Sequence, residues 1–108
     1  MTKDELVVKV LYLAYLVNAR TEFCVFASFF GHVDQLSIRV AASKENYQAE
    51  VMRSETSLRY GQYRRDGETS LVAELKAKVG VLEQILQTHE IPYEDLEYEE
   101  IVERSYRF

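Results

Sequence analysis

The chain has 108 residues, of which 47% are apolar and 29% charged, and its formal net charge is −5. That length is typical of one domain, and the composition excludes an intrinsically disordered chain and a membrane-spanning one. A single cysteine, Cys24, excludes an intramolecular disulfide and favours a reducing, cytoplasmic location. We therefore expect one domain over residues 1–108.

The first predicted element is a helix over Lys3–Asn18. Thr2 and Glu5 fit the capping-box pattern, in which the threonine hydroxyl accepts from the Glu5 amide and the glutamate reaches back to residue 2. Apolar residues then recur three and four positions apart, which is typical of a helix with one buried face. These residues are Leu6, Val10, Leu13 and Val17.

Two strands are predicted next. Thr21–Phe30 is dominated by β-branched and aromatic residues, and Gln35–Val40 alternates polar with apolar residues. The Gly31-His32 pair between them indicates a β-hairpin with a two-residue turn, and a loop of three or four residues is the alternative. Because Cys24 alternates with large apolar residues, we expect it to lie in the core.

A third strand is predicted from Tyr47 to about Arg53, with Tyr47, Ala49 and Val51 on one face. Residues 55–60 either continue this strand or form a fourth one. The glycines and polar residues of 61–67 indicate a loop.

A second long helix is predicted to begin between Asp66 and Ser70 and to end before Pro92. The apolar pattern covers fewer than three heptads, which favours a helix that faces the core over a coiled coil. The predicted stripe is Val72, Leu75, Val79, Leu82, Leu86 and His89, and Leu71 and Ile85 broaden it.

Residues 92–108 fit two structures. Pro92 suits the first turn of a helix and the acids after it suit a helix N-terminus, whereas Leu96 and Tyr98 alternate with acids as in a strand. We favour a short acidic helix. The predicted fold is then α+β in the order α-β-β-β-α-α, with helices on one face of a three- or four-stranded antiparallel sheet and no βαβ crossover.

The sequence contains no motif for catalysis, metal binding or phosphate binding. His32 and His89 have no cysteine or second histidine at ligand spacing, the four glycines are scattered, and no nucleophile motif is present. We expect His32 to be a turn residue and His89 to lie at a helix C-terminus. The sequence predicts a protein that is not an enzyme and has no catalytic residues, no metal site and no cofactor.

Arginines and tyrosines cluster around the predicted loop. Arginine can contact phosphates and tyrosine can stack on unpaired bases, so a single-strand nucleic-acid binder is one hypothesis. A pI near 5.0 opposes it, and a solvated loop, or one paired with the acidic tail of the same chain, is favoured. The candidate residues are Arg53, Arg59, Tyr60, Tyr63, Arg64 and Arg65.

Charge is unevenly distributed along the chain. Glu90–Glu103 contains seven acids and neither lysine nor arginine, so this segment carries −7 and the remaining chain +2. The segment is either a solvated helix or a surface that imitates phosphates and occupies a basic groove of a partner. The candidate partner-binding residues are Tyr93, Glu94, Asp95, Glu97, Tyr98, Glu99, Glu100 and Glu103.

The run FCVFASFFGHVDQLSIRV, at Phe23–Val40, resembles a pattern in small, mostly uncharacterised proteins encoded by phages and prophages of Gram-positive bacteria. That resemblance implies an α+β domain that contains a hairpin and acts in the bacterial cytoplasm. The matching residues are Gly31, His32, Val33, Asp34, Leu36, Ser37, Ile38 and Arg39.

The small size, the acidity and the order of elements are also similar to those of type II anti-CRISPR proteins, some of which block Cas9 by imitating DNA. The leading hypothesis is therefore a phage-type accessory protein that binds and inhibits a bacterial host protein, with a Cas9-type nuclease as the specific candidate. The alternative is a self-associating structural or regulatory module, a homodimer formed through Phe26 and Phe30 or through the second helix. Neither a membrane nor direct nucleic-acid contact is expected.

Overall fold

The computed structural model describes residues 1–58, 68–93, 97–100 and 104–108. Its strands form one five-stranded sheet in the order β1-β2-β3-β5-β4. The elements are α1 (Lys3–Arg20), β1 (Cys24–Phe30), β2 (Gln35–Ala41), β3 (Glu50–Ser57), α2 (Glu68–Thr88), β4 (Glu97–Glu100) and β5 (Arg104–Arg107). The α+β class is confirmed, as is the chain order of an N-terminal helix, the antiparallel strands β1-β2-β3 and a second helix.

Helix α1 begins with the predicted capping box. The Thr2 hydroxyl accepts from the Glu5 amide at 3.2 Å, and the Thr2 amide donates to Glu5 Oε1 at 3.2 Å. These two bonds satisfy amide groups that the helix itself leaves unpaired. The helix ends two residues later than predicted, at Arg20, where the Thr21 amide and hydroxyl both donate to the Val17 carbonyl.

The capping box predicts a measurable titration. Hydrogen bonds from the Thr2 amide, and then from its side chain, hold the pKa of Glu5 below its usual value of 4.5. The stabilisation is therefore present above pH 4.5 and is lost as the pH falls through the lower pKa of the folded state. In a Thr2→Ala variant the amide donor remains, so the pKa should rise only part of the way to 4.5. Carboxyl-carbon NMR titration measures it, and an unchanged pKa would contradict the role of the hydroxyl.

Strands β1 and β2 pair antiparallel from Cys24 opposite Ala41 to Phe30 opposite Gln35. Their connection is a four-residue loop, the longer of the predicted alternatives, and the Val33 amide donates to the Phe30 carbonyl within it. Asp34 closes the loop at φ 49°, a left-handed conformation that aspartate tolerates better than most residues. Cys24 is only half-buried, so its predicted core position is wrong.

Strand β3 is a single strand from Glu50 to Ser57, so it begins three residues later than the predicted start at Tyr47. The β2–β3 register is continuous from Gln35 opposite Ser57 to Val40 opposite Met52, and it shifts just beyond Val40, where Ala41 pairs with Glu50. Such a shift is a property of the paired strands, and the sequence pattern does not reveal it. Tyr47 is exposed, and the residues buried against the helices are Met52, Ser54 and Thr56.

Helix α2 packs against α1 over the sheet and buries a stripe close to the predicted one. Leu75, Val79 and Leu82 are buried as expected, but Val72 and Leu86 are only partly buried and His89 is exposed. His89 lies just after the helix at φ 59°, and its amide donates to the Ile85 carbonyl as in a left-handed helix end. Leu71 and Ile85, which were predicted to broaden the stripe, are fully buried, and Lys78, which was not predicted, is buried beside them.

Two buried hydroxyls on the core face of β3 predict an unusual mutational effect. Among the described residues, Ser54 Oγ and Thr56 Oγ1 are buried without a hydrogen-bond partner, which costs desolvation energy. Thr56→Val replaces the hydroxyl with a methyl group of similar volume and should raise the free energy of unfolding by about 1 kcal/mol. The control Thr56→Ser keeps the hydroxyl and removes the methyl, so it should destabilise. Urea unfolding of both variants tests this, and destabilisation by valine would show that the hydroxyl is satisfied.

The C-terminal segment differs from the prediction. Glu97–Glu100 and Arg104–Arg107 form antiparallel strands in place of the short acidic helix, and β5 pairs parallel to β3 through Met52–Tyr106 and Arg53–Arg107. A parallel pair needs a long connection, and α2 lies within it. The expectation of a purely antiparallel sheet without a crossover is therefore wrong.

Neither α1 nor α2 is long and apolar enough to cross a membrane.

Candidate interaction surfaces

The described part of the predicted acidic surface lies mainly on β4, at one edge of the sheet. In register, Glu97 pairs with Arg107, Glu100 with Arg104, and Glu99 with Ser105. Opposite charges at paired positions favour this hairpin, so two of these acids have a structural explanation. Tyr98 pairs with Tyr106, and Tyr93 is 48% exposed before the strand. Glu94, Asp95 and Glu103 lie outside the described residues.

Only one residue of the predicted arginine–tyrosine cluster lies in the described ranges. Arg53 donates from Nη2 to Glu50 Oε1 at 2.7 Å and lies 3.7 Å from Glu55 Oε1. Its charge is therefore paired on the sheet by Glu50 and Glu55. The other five candidates, Arg59, Tyr60, Tyr63, Arg64 and Arg65, lie outside the described residues.

Glu50 is the centre of a charged cluster on the sheet face away from the helices. Arg39 and Arg53 are directly opposite each other in the β2–β3 register, an arrangement that would be repulsive alone. Glu50 Oε1 accepts from Arg39 Nε at 3.2 Å and from Arg53 Nε at 2.9 Å. Arg39 also covers the ring of Phe26, with 5.0 Å between the guanidinium carbon and the ring centre. The role of Glu50 in this cluster is therefore structural, since its carboxylate neutralises the two arginines.

Within the described ranges, no group of three or more histidine, cysteine, aspartate or glutamate residues is placed to hold a metal ion. His32 is exposed in the β1–β2 loop, and His89 is exposed at the end of α2.

Strand β1 forms the other edge of the sheet, and only its beginning is covered. The Val25 amide donates to Asn18 Oδ1 at 2.9 Å, and Lys44 Nζ donates to the Phe23 carbonyl at 3.0 Å. Further along, no residue of the described chain bonds to the outer side of the strand. Here Phe29 and Phe30 are 54% and 44% exposed, so aromatic surface accompanies open backbone.

A stripe of exposed apolar side chains on α1 adjoins this edge. Val8, Tyr12 and Tyr15 are 66%, 58% and 65% exposed and follow the i, i+4, i+7 spacing of one helix face. Val8 lines an open groove together with Leu11 and Phe29, which connects the stripe to β1. The edge and the stripe thus form one apolar surface, which we call the α1–β1 surface.

The sequence analysis identified Phe26 and Phe30 of this surface but missed its helical half. The spacing of Val8, Tyr12 and Tyr15 is visible in the sequence. The sequence analysis did not separate this exposed face from the buried one, because α1 carries apolar residues on most sides and the buried stripe around Val10 already explained the helical spacing. A second apolar face on a helix is the available signal.

Comparison with known proteins returned no matching family model, no similar curated protein and no similar solved structure.

Proposed function

We propose that this protein is a non-enzymatic binding module whose α1–β1 surface takes up an extended, uncharged strand of a protein by strand addition to β1. The observation that carries the proposal is the open outer side of β1 beside exposed Phe29 and the apolar stripe of α1. In strand addition, main-chain hydrogen bonds supply affinity and alternate side chains supply selectivity.

The contrast between the two sheet edges supports this proposal. Edge strands usually carry charges, proline or bulges, which prevent pairing with other chains. Strand β4 follows that rule, since three of its four residues are glutamates. Strand β1 has seven residues with neither charge nor proline, and its register with β2 has no shift. Aromatic side chains beside such an edge fit an apolar strand and disfavour a charged one.

A labelled peptide with the sequence of Val25–Phe30, flanked by lysines for solubility, tests strand addition by fluorescence anisotropy. The protein should bind it, and Ala27→Pro should weaken binding about tenfold or more because proline removes an amide donor from the outer side of β1. Ala27→Val retains the amide and is the matched control. Absence of binding, or equal binding by the proline variant, contradicts the proposal.

We propose a second candidate function on the acidic segment, namely inhibition of a bacterial host protein, with a Cas9-type nuclease as the target. What favours it is the position of β4 as the last strand in the sheet order, with Glu99 paired in register to a serine and not to an arginine. The carboxylates would take the place of DNA phosphates in a basic groove. This second proposal includes a phage-type origin of the protein and a location in the cytoplasm of the bacterial host.

A DNA-cleavage assay with a purified Cas9-type nuclease tests this candidate. Reversing Glu94 and Glu99 to lysine should relieve inhibition, and rising salt should weaken inhibition by the unaltered protein. The control reverses Glu22 and Glu45, which are exposed elsewhere and give the same change in net charge. Equal loss in both variants, or none in either, removes the mimicry mechanism, and no inhibition by the unaltered protein removes this target.

A further inference from the structure

We infer that the strand taken up by β1 is β1 of a second copy of this chain, paired antiparallel about a two-fold axis at Ser28. The inference rests on the proposed strand addition and names its partner. In this arrangement two five-stranded sheets join into one continuous sheet, and each β1 ceases to be an edge.

The backbone of β1 determines which groups can pair. The Val25 amide points away from β2, since it donates to Asn18 Oδ1. Because residues of an antiparallel strand alternate between bonding to one neighbour and pointing away from it, Ala27 and Phe29 also direct their amides and carbonyls outward. No hydrogen bond to these outward groups is found in the described part of the chain.

These groups select one register. With Ser28 on the axis, Ala27 pairs with Phe29 of the second copy, so both outward residues of each strand are bonded. An axis at Ala27 would require the Val25 amide, which Asn18 already occupies. An axis at Phe29 would pair Ala27 with Gly31, which lies in the loop. The Ser28 axis alone uses the free groups without disturbing an existing bond.

Side chains in this register are complementary to themselves. On the face away from the helices, Phe26 meets Phe30 of the second copy, which makes two aromatic cross-strand pairs, and Ser28 meets Ser28. On the helix face, small Ala27 meets large Phe29. The strand carries no charge, so the two-fold axis places no like charges together. This self-complementarity favours a second copy over an unrelated strand.

Helix α1 is also aligned for a two-fold partner. Asn18 lies beside Val25 and Leu11 lies beside Phe29, so the middle of the helix, around Tyr12 and Tyr15, lies level with the axis. An axis normal to the sheet makes the two helices antiparallel. The acidic first turn of one, with Asp4 and Glu5, then corresponds to the last turn of the other, where Arg20 lies. Charges and helix dipoles are both complementary in that orientation.

Disulfide trapping tests the register directly. In a Cys24→Ser background, Ser28→Cys places two thiols opposite each other at a Cα separation of about 4.5 Å, which permits a disulfide. The matched control Ser37→Cys lies one strand inward on the same face, and its two copies are about 14 Å apart. Under mild oxidation only the Ser28→Cys protein should form a covalent dimer on a non-reducing gel.

Light scattering after size exclusion tests the dimer in the unaltered protein, which should have twice the 12.6 kDa mass of the chain. Ser28→Lys should raise the dimer dissociation constant by about tenfold or more, because like charges then face each other on the axis, whereas Ser37→Lys should not. A monomer up to millimolar concentration overturns the inference, as does equal cross-linking at both cysteine positions. If that monomer binds the Val25–Phe30 peptide, strand addition stands and only the second copy is excluded.

Discussion

Replacing Glu50 with glutamine should lower the free energy of unfolding by about 2 kcal/mol. The carboxylate is largely buried and accepts hydrogen bonds from Arg39 and Arg53, which are opposite each other on neighbouring strands. Glutamine removes the charge that neutralises both guanidinium groups and leaves two cations at paired positions, which is destabilising. Urea unfolding monitored by circular dichroism measures the change.

Glu55→Gln is the matched control, since it is the same substitution on the same strand toward the same arginine. Glu55 is half exposed and lies 3.7 Å from Arg53, so its removal should cost no more than about 0.5 kcal/mol. Salt should partly rescue the Glu50 variant because it screens the remaining repulsion. Equal losses in the two variants would show that Glu50 does not act as the bridge.

The sequence predicted those elements whose pattern is local. The capping box of Thr2 and Glu5 and the alternation in β2 determine hydrogen bonds and burial within a few residues, and both predictions are confirmed. Strand β3 was predicted to begin three residues too early, at Tyr47, and the register shift after Val40 was not predicted because it is a property of two paired strands. The sequence of one strand does not contain it.

The structure of residues 92–108 also depends on pairing between distant residues, which a local sequence pattern does not show. Acids after Pro92 suit both a helix N-terminus and a strand that pairs with basic residues, and in the β4–β5 register Glu97 is opposite Arg107 and Glu100 is opposite Arg104. The interaction surface was half predictable. Aromatic residues on β1 are evident from sequence, whereas its position at a sheet edge depends on the strand order.

The inferred dimer determines how far apart two copies of the acidic strand β4 would lie, which bears on the second candidate function. Joining the sheets through β1 places the two β4 strands at the outer edges of ten strands, about 43 Å apart at the usual spacing between strands. Both β4 strands then lie at the ends of the joined sheet that are farthest from the dimer contact. A partner with two basic sites at that separation would be bound bivalently, and such binding gains affinity without any new contact. Monomeric Ser28→Lys would retain each acidic edge and lose only this gain.

Replacing Phe108 with alanine should release the β4–β5 hairpin by local opening and leave the rest of the fold intact. Within the described residues two pairs join β5 to β3, and Phe108, the residue directly after β5, adds to this attachment. The Phe108 side chain packs on the core, its amide donates to the Arg53 carbonyl, and its carbonyl accepts from Lys78 Nζ at 3.1 Å. Because Lys78 is only 7% exposed, this bond is made away from bulk water.

Phe108→Ala should lower the free energy of opening the β4–β5 hairpin by about 2 kcal/mol. This is less than the cost of truncating a fully buried phenylalanine, because the Phe108 side chain is half-buried. Amide hydrogen exchange in Arg104–Arg107 should then accelerate roughly 30-fold, while the amides of α1 keep their protection. Phe108→Leu retains most of the apolar contact and is the control. Uniform acceleration across the whole chain would show that the hairpin is part of the global unfolding unit and that the acidic edge cannot open separately.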